Sequence, residues 1–459
     1  MLLDKIYDII WSPALVVLLV CSGLYFTIRT RFVQIRLIPK MIALLFPFHY
    51  SKQRRKGKGI SSFEAFCVSL SGRVGTGNIV GVATAIGVGG PGAVFWMWIV
   101  AIFGAATAFV ESTLSQMYRF QYKGVWRGGP FVYMEEALHC RWLGIIFALA
   151  ILIGSSLFCT TVQTNGMAVA LDNTFGVAPL WSGIALALLV GVVIIGGIKW
   201  ISKASAVITP IMTVGYILLA LIVIVINWRN IPAAFGCIFT NAFGINPLCG
   251  GIIGSTIAMG VKRGLFSNEA GQGTGAIPSA SATVSHPAEQ GLAQAFSVYI
   301  DTLFICTATA LMIIVTGQFN IVDPATDEIL VASAPELGNN YVLFTQSALD
   351  TVFGGMGGSF VSIALIFFVF TTMMAYYFYG ESSIVYLCRR NKGSMAKVLT
   401  WIFRGIFLAA IVFGTLKEAD TVWTLGDIGV GIMAWLNVIT ILILSPVAFR
   451  ALREYEKKL

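Results

Sequence analysis

Two strings decide the architecture: Ser71-Gly72-Arg73-Val74-Gly75-Thr76-Gly77-Asn78 and Phe266-Ser267-Asn268-Glu269-Ala270-Gly271-Gln272-Gly273-Thr274-Gly275. Each interrupts an apolar run, over 62–90 and about 248–284. Glycine and polar residues at such depth unwind a helix, and unwinding frees peptide N–H and C=O groups where bulk water is absent. Those groups need partners. Free N–H groups at the start of a half-helix attract a carboxylate, and free carbonyls suit a small cation or an ammonium group. A second reading is that these glycines are small-residue packing surfaces. The pairing of two polar breaks favours a binding site.

The rest of the chain supplies the setting. Of its 459 residues, 57% are hydrophobic and 11% charged, against about a quarter charged in soluble domains. Lipid is therefore the solvent for most of the surface, and the lipid bilayer is the first expected partner. Windows of about 20 apolar residues predict eleven spanning helices. They cover 12–28, 62–90, 93–119, 141–171, 179–198, 203–227, 248–284, 288–317, 357–388, 395–415 and 422–448. The first run lacks a small-residue cleavage site and reads as a retained helix. The stretches 33–49 and 128–140 read as amphipathic segments along the interface.

Five spans separate one break from the other. With the first helix set aside, ten remain, and the breaks fall in the first and sixth. Two halves of five helices have opposite topology because five is odd, the pattern of an inverted-repeat transporter. The expected fold is an all-α polytopic membrane protein of eleven transmembrane helices. Residues 1–61 form a peripheral helix and basic segment, 62–227 and 228–448 the two five-helix repeats, and 449–459 a basic tail.

Net charge is +9, and the cations cluster beside hydrophobic runs. One side receives Arg29, Arg31, Arg36, Lys40, Lys52, Arg54, Arg55, Lys56 and Lys58, then Arg119, Lys123, Arg127, Arg141, Lys199 and Lys203. It also receives Arg389, Arg390, Lys392, Lys397 and the C-terminal Arg450, Arg453, Lys457 and Lys458. The other side holds Lys5, Arg229 and Lys417, with Asp323, Asp327 and Glu336 in the loop 318–340. The positive-inside rule then predicts an N-terminus outside and a C-terminus in the cytoplasm of a bacterial or archaeal inner membrane. The same distribution argues against nucleic-acid binding. The eight cysteines show no CxxC spacing, and His49, His139 and His286 share none, so neither a disulfide framework nor a metal cluster is expected.

The strings also resemble a known family, the alanine or glycine:cation symporters, also called sodium:alanine symporters. The likeness runs over nearly the whole chain. It is carried by Gly75-Thr76-Gly77-Asn78-Ile79, Gly81-Val82-Ala83, Gly89-Gly90-Pro91-Gly92-Ala93, Phe95-Trp96-Met97-Trp98 and Gly128-Gly129-Pro130. Gln163, Asn165, Asn268-Glu269-Ala270-Gly271 and Tyr379-Gly380-Glu381 complete it. The resemblance implies a LeuT-like core of five plus five helices behind one peripheral helix, and Na⁺-driven uptake of alanine or glycine, with H⁺ the less usual coupling ion. Where that family commonly has Trp before the Tyr-Gly-Glu string, this chain has Tyr376.

These readings assign candidate residues. Thr76 and Gly77 would donate backbone N–H groups to a substrate carboxylate, with the Asn78 amide beside them; Asn78 as a helix cap is the plain alternative. Gln163 sits mid-span and would face the pocket, while Asn165 is equally suited to bridge helices. Phe266 would close over a small side chain or face lipid. Asn268, Gly271, Gly273 and Tyr376 complete the substrate set. The resemblance places sodium at Thr371 and Thr372 with the carbonyls of Ser71 and Val74, oxygen donors suited to a hard cation; a Thr pair bonding its own helix is the alternative. Arg73, Glu111, Lys262, Arg263, Glu269, Asp301, Glu381 and Arg404 are ionisable groups in or near spans, functional candidates by default. Glu269 is expected to pair with Arg73, Lys262 or Arg263 and so hold the broken helix; proton carriage and gating are the alternatives.

The expected function is symport of a small neutral amino acid with Na⁺, or with H⁺, and serine or glutamine are alternative substrates. A channel would show a pore-loop filter or rings of like residues. An enzyme would show a GxSxG, HExxH or Walker A string. The sequence has none of these, and no cofactor beyond the coupling ion is expected.

Overall fold

The computed structural model describes residues 2–45, 59–244, 253–323, 326, 328–390 and 395–458. Residues 46–49 of the first amphipathic stretch, His49, Lys52, Arg54, Arg55, Lys56, Lys58, Asp327, Lys392 and 248–252 at the start of the seventh span lie outside them. Helices dominate: α1 Leu2–Ile10, α2 Pro13–Arg29, α3 Val33–Arg36, α4 Ile38–Ala43, α5 Ser62–Arg73, α6 Val80–Gly89, α7 Ala93–Met117, α8 Pro130–Glu136, α9 Arg141–Ala150, α10 Thr160–Phe175, α11 Pro179–Ile195 and α12 Ile198–Ile226. Then follow α13 Ile231–Ala242, α14 Ile253–Asn268, α15 Ala276–Ser281, α16 Pro287–Val298, α17 Thr307–Thr316, α18 Tyr341–Phe353, α19 Gly357–Leu387, α20 Met395–Leu416 and α21 Ala419–Glu456. Among the described residues, eight helical stretches are long and apolar enough to cross a membrane: Leu3–Arg29, Ala93–Met117, Arg141–Phe175, Ile198–Ile226, Pro287–Thr316, Gly357–Leu387, Met395–Leu416 and Ala419–Glu456.

The two decisive strings are breaks. A capping box opens α5, with Glu64 N–H donating to Ser61 Oγ (3.1 Å) and Ser61 N–H to Glu64 Oε2 (2.7 Å). The helix ends at Arg73, a 3-10 turn covers Thr76–Asn78, and α6 resumes at Val80. The second break separates α14 from α15. Glu269, Gly271 and Gly273 all take positive φ there, at 55°, 92° and 82°. Two of those positions are met by glycine, which adopts that region freely; Glu269 is held in it against its preference. Both breaks are buried.

Among the described residues, two π segments widen other long helices. Ile151–Cys159 lies between α9 and α10, and Tyr299–Cys306 between α16 and α17. Such widenings re-aim the side chains inside and after them. The first precedes Gln163, and the second contains Asp301.

Three expectations are corrected. The molecule is not purely helical: β1 Arg119–Tyr122 pairs with β2 Val125–Gly128 through a Lys123-Gly124 turn, and β3 Asn320–Val322 pairs with β4 Ile329–Ala332. Helices α13 and α18 lie outside the expected spans. The 128–140 stretch is not an interfacial strip, because Pro130 to Glu135 are buried. The turn at Gly129, φ 147°, sends α8 inward, where Pro130 packs beside Gly273 and Tyr133 hydrogen-bonds Asn437 on α21.

Candidate substrate and ion site

The two breaks meet. Arg73 ends α5, and its Nε–H donates to the Asn268 carbonyl at the end of α14 (2.6 Å). A cation at a helix C-terminus complements the dipole there. The same guanidinium reaches Gln294 Oε1 (2.8 Å) and Ser297 on α16, while Nη2 has no hydrogen-bond partner among the described residues. Glu269 is not its ion-pair partner. That carboxylate instead accepts from Thr274 Oγ1 (2.8 Å), with the Tyr376 hydroxyl close by. Arg263 pairs with Asp427 (2.5 Å), and Lys262 hydrogen-bonds Tyr7.

Thr76, Gly77, Asn78, Gln163, Phe266 and Tyr376 come together. Thr76 N–H and its hydroxyl both donate to Gln163 Oε1, at 2.7 and 2.8 Å. That oxygen occupies a position two donors from the first break define, one suited to a carboxylate oxygen. Tyr376 lies against Gln163. Asn78 Oδ1 accepts from Gly75 N–H (2.8 Å), so Asn78 both caps the break and offers its amide onward. A Cβ on Gly77 would meet Phe266 Cδ1 at 3.2 Å, and one on Gly75 would meet Gln163 Oε1 at 2.4 Å. Phe266 is buried against Trp423, ring centroids 5.0 Å apart, and does not face lipid.

Asn268, Gly271 and Gly273 point elsewhere. Asn268 Oδ1 caps Ala270 N–H (3.0 Å), and its Nδ2 is unpartnered. Gly271 packs against Thr107, Val438 and Leu19, and Gly273 against Pro130, Phe147 and Asn437. Asn165 Nδ2 bridges to the carbonyls of Gly414 and Lys417 (3.3 and 2.7 Å), the helix-bridging alternative.

The oxygen cluster forms around Thr372. Its Oγ1 lies 2.9 Å from the Ser71 carbonyl, 3.1 Å from that of Val74 and 2.8 Å from that of Phe368. One hydroxyl proton satisfies one of these three acceptors. The remaining lone pairs converge, as a hard cation requires. Thr371 shares only the Phe368 carbonyl with this cluster: its hydroxyl bonds the Phe367 and Phe368 carbonyls and Met212 Sδ, not those of Ser71 or Val74. The Ser71 hydroxyl faces Val68 O and Ser205 rather than Thr372.

Sequence reasoning marked Asp301 and Glu111 as intramembrane charges but gave them no partners. Asp301, fully buried, accepts from Asn78 Nδ2 (2.6 Å), from Ser267 Oγ at both oxygens (3.1 and 2.9 Å) and from Thr302 Oγ1 (2.7 Å). It thus ties the two breaks to the second π segment.

Solved structures share this fold. One is MhsT in complex with L-phenylalanine: TM-score 0.57, 14% identity, covering 86% of this chain and 99% of that one. Another is a Na⁺-coupled sialic acid symporter: TM-score 0.56, 13% identity, covering 95% and 86%. That likeness defines the fold class, LeuT-like, in which this chain's discontinuous helices meet in a buried polar centre. Within that class the chain belongs to the sodium:alanine symporter family, whose model matches residues 1–459. YrbD of Bacillus subtilis (strain 168), named as a sodium/proton-dependent alanine carrier, is 49% identical over 453 residues, 98% of this chain and 91% of its own length. The sodium/proton-dependent alanine carrier protein of Bacillus sp. (strain PS3) is 46% identical over 408 residues, 87% and 89% of the two chains. GlnT of Bacillus subtilis (strain 168), named as a sodium/glutamine symporter, is 40% identical over 451 residues, 98% and 89%.

Proposed function

We propose that this protein is a Na⁺-coupled symporter that takes small neutral amino acids, alanine or glycine, into the cell by alternating access. The observation that carries the reading is the Thr76 N–H and hydroxyl converging on one oxygen position beside the Thr372 oxygen cluster. The substrate carboxylate takes the position that Gln163 Oε1 now holds, next to Gly77 and Asn78. Phe266 and Tyr376 bound the side-chain end, and the close fit at Gly75 and Gly77 favours a small substrate. Asn268, Gly271 and Gly273 act by shaping the second break. Sodium sits among Thr372 Oγ1 and the Ser71 and Val74 carbonyls; Thr371 and the Ser71 side chain support the helices around it.

The accompanying topology is eleven spans: a peripheral helix with its basic segment, 1–61, two inverted five-helix repeats, 62–227 and 228–448, and a basic tail, 449–459. The N-terminus is outside, the C-terminus cytoplasmic. A proton as coupling ion is supported by the names of the alanine-carrier relatives, and glutamine as substrate by that of GlnT.

Uptake of radiolabelled alanine into proteoliposomes tests the proposal. Accumulation above equilibrium under an inward Na⁺ gradient is the expected result. Equilibration that ignores every cation gradient would make the protein a facilitator instead. Competition by unlabelled glycine, serine and glutamine ranks the substrates.

A further inference from the structure

Three carboxylates are fully or nearly fully buried around the two breaks: Glu111 on α7, Glu269 in the second break and Asp301 in the second π segment. Arg73 acts electrostatically on all three. Yet among the described residues none of them has an Arg, Lys or His nitrogen within ion-pair distance. One guanidinium against three carboxylates leaves two negative charges over in a core that lipid surrounds. Unpaired charge at such depth is expensive, and a buried carboxyl group neutralises before it tolerates that cost. A sodium ion supplies one positive charge. A proton on one of the three carboxyl groups supplies another.

The hydrogen bonding indicates where it goes. Asp301 is held by three donor side chains, which favour the ionised form. Glu269 has the Thr274 hydroxyl and the nearby Tyr376. Glu111 is the one of the three with a buried oxygen left unpartnered among the described residues. Its Oε2 accepts from Asn437 Nδ2 (2.9 Å), and Oε1 is that oxygen. The peptide N–H groups of Gly271 and Gly273 also face the carboxyl group. The titratable and charged groups facing it are Arg73 from α5, Tyr133 from α8 and Tyr379 from α19.

We propose that Glu111 is a proton-binding site of the transport cycle, an assignment that rests on the symport reading. A carboxylate oxygen takes up one proton from water, an O–H bond forms, and the group passes from −1 to neutral; release reverses the step. Its position gives the proton leverage. Asn437, the donor to Glu111, also donates to the Gly271 carbonyl (3.0 Å) and accepts from the Tyr133 hydroxyl. A change of charge at Glu111 therefore acts on the second break through Asn437 and on α8 through Tyr133. Glu111 touches neither the Thr76 position nor the Thr372 cluster, so it is a positioning residue for both.

Infrared spectroscopy of the purified full-length protein in liposomes tests the assignment. Wild type should show a protonated-carboxyl band at neutral pH that changes when alanine and Na⁺ are added, and Glu111→Asp should shift that band. In weakly buffered solution with a pH dye, alanine should move up to one proton per wild-type protein, and Glu111→Gln should abolish that movement. Absence of the band in wild type, a band unmoved by Glu111→Asp, or full proton movement in Glu111→Gln would each overturn the proposal. Na⁺-driven alanine uptake by wild type is measured separately. Its absence beside a Glu111 band would count against symport and leave the proton site in place.

Discussion

Thr371 and Thr372 are neighbours in the chain with opposite surroundings. One helical position turns a side chain by about 100°, which carries Thr371 toward Met212 while Thr372 reaches across to the first break. The sequence offered both as ligands because a Thr-Thr pair carries no mark of which hydroxyl faces inward. Replacing Thr372 with Val keeps the shape and removes the oxygen. Loss of one such contact, roughly 1.4 kcal/mol, is a tenfold change in an equilibrium. The Na⁺ concentration for half-maximal uptake should rise about tenfold in Thr372→Val and change little in Thr371→Val; equal shifts in the two would remove the Thr372 cluster from the ion path. Gly77 permits a second test. A methyl there meets Phe266 at 3.2 Å and Ser267 Cα at 3.4 Å, so Gly77→Ala should raise the KM for alanine more than that for glycine. If the two rise together, that side of the site is not where the substrate side chain lies. Thr76 and Gln163 were legible because polar residues at mid-span must find partners. The partners of Asp301 were not, since Asn78 lies 223 residues away and no local pattern encodes such a meeting.

At the scale of elements, the breaks were readable because glycine and polar residues crowd into otherwise apolar runs, a signal stronger than any single motif. The burial of α8 was not. Seven residues give too little periodicity to distinguish an interfacial strip from a segment turned inward by Gly129. Glycines with a packing role could not be told in the sequence from glycines without one. Gly154, in the first π segment, and Gly429, on α21, face each other: a Cβ on Gly429 would lie 2.6 Å from Gly154 Cα. Close backbone approach of this kind is how membrane helices associate when lipid is as apolar as their side chains. Gly215 in α12 has nothing within 4 Å of an added Cβ. Gly429→Ala should therefore lower the thermal unfolding midpoint of the purified protein, by an overpacking penalty of about 1–3 kcal/mol. Gly215→Ala should leave it unchanged or raise it slightly, since alanine favours helix. A neutral Gly429→Ala would mean that this crossing relaxes freely and contributes little to the bundle.

Across the whole molecule, α8 connects parts that an alternating-access cycle would move relative to one another. Its Pro130 end lies under the second break and Tyr133 holds α21, while its last turn is fastened to the end of α19. There the Tyr386 hydroxyl donates to Glu135 Oε2 (2.5 Å), and Arg389 and Arg390 reach Glu135 Oε1 (2.7 and 2.6 Å). Arg389 also pairs with Glu136 (2.8 Å). In the proposed topology this fastening is cytoplasmic and outside the spans. Burial pushes the Glu135 carboxyl up, but the hydrogen bonds from Tyr386 and Arg389, with the charges of Arg389 and Arg390, outweigh it and hold the group below its ordinary value of 4.5. A carboxyl group depressed in the folded state adds stability that is fully present above its unfolded value and is lost as pH falls through its folded one. Wild type should therefore lose thermal stability on acidification from neutrality to below pH 4.5. Glu135→Gln should start lower at neutral pH, keep a hydrogen bond to Tyr386, and show a shallower loss over the same range. Parallel pH profiles for the two proteins, read by thermal unfolding, would show that the fastening carries no net stability. The same variant separates fastening from transport: if α8 must release α19 for the inner side to open, weakening the clasp should raise the maximal rate of alanine exchange even as the midpoint falls. A clasp that only holds the fold together would lower both.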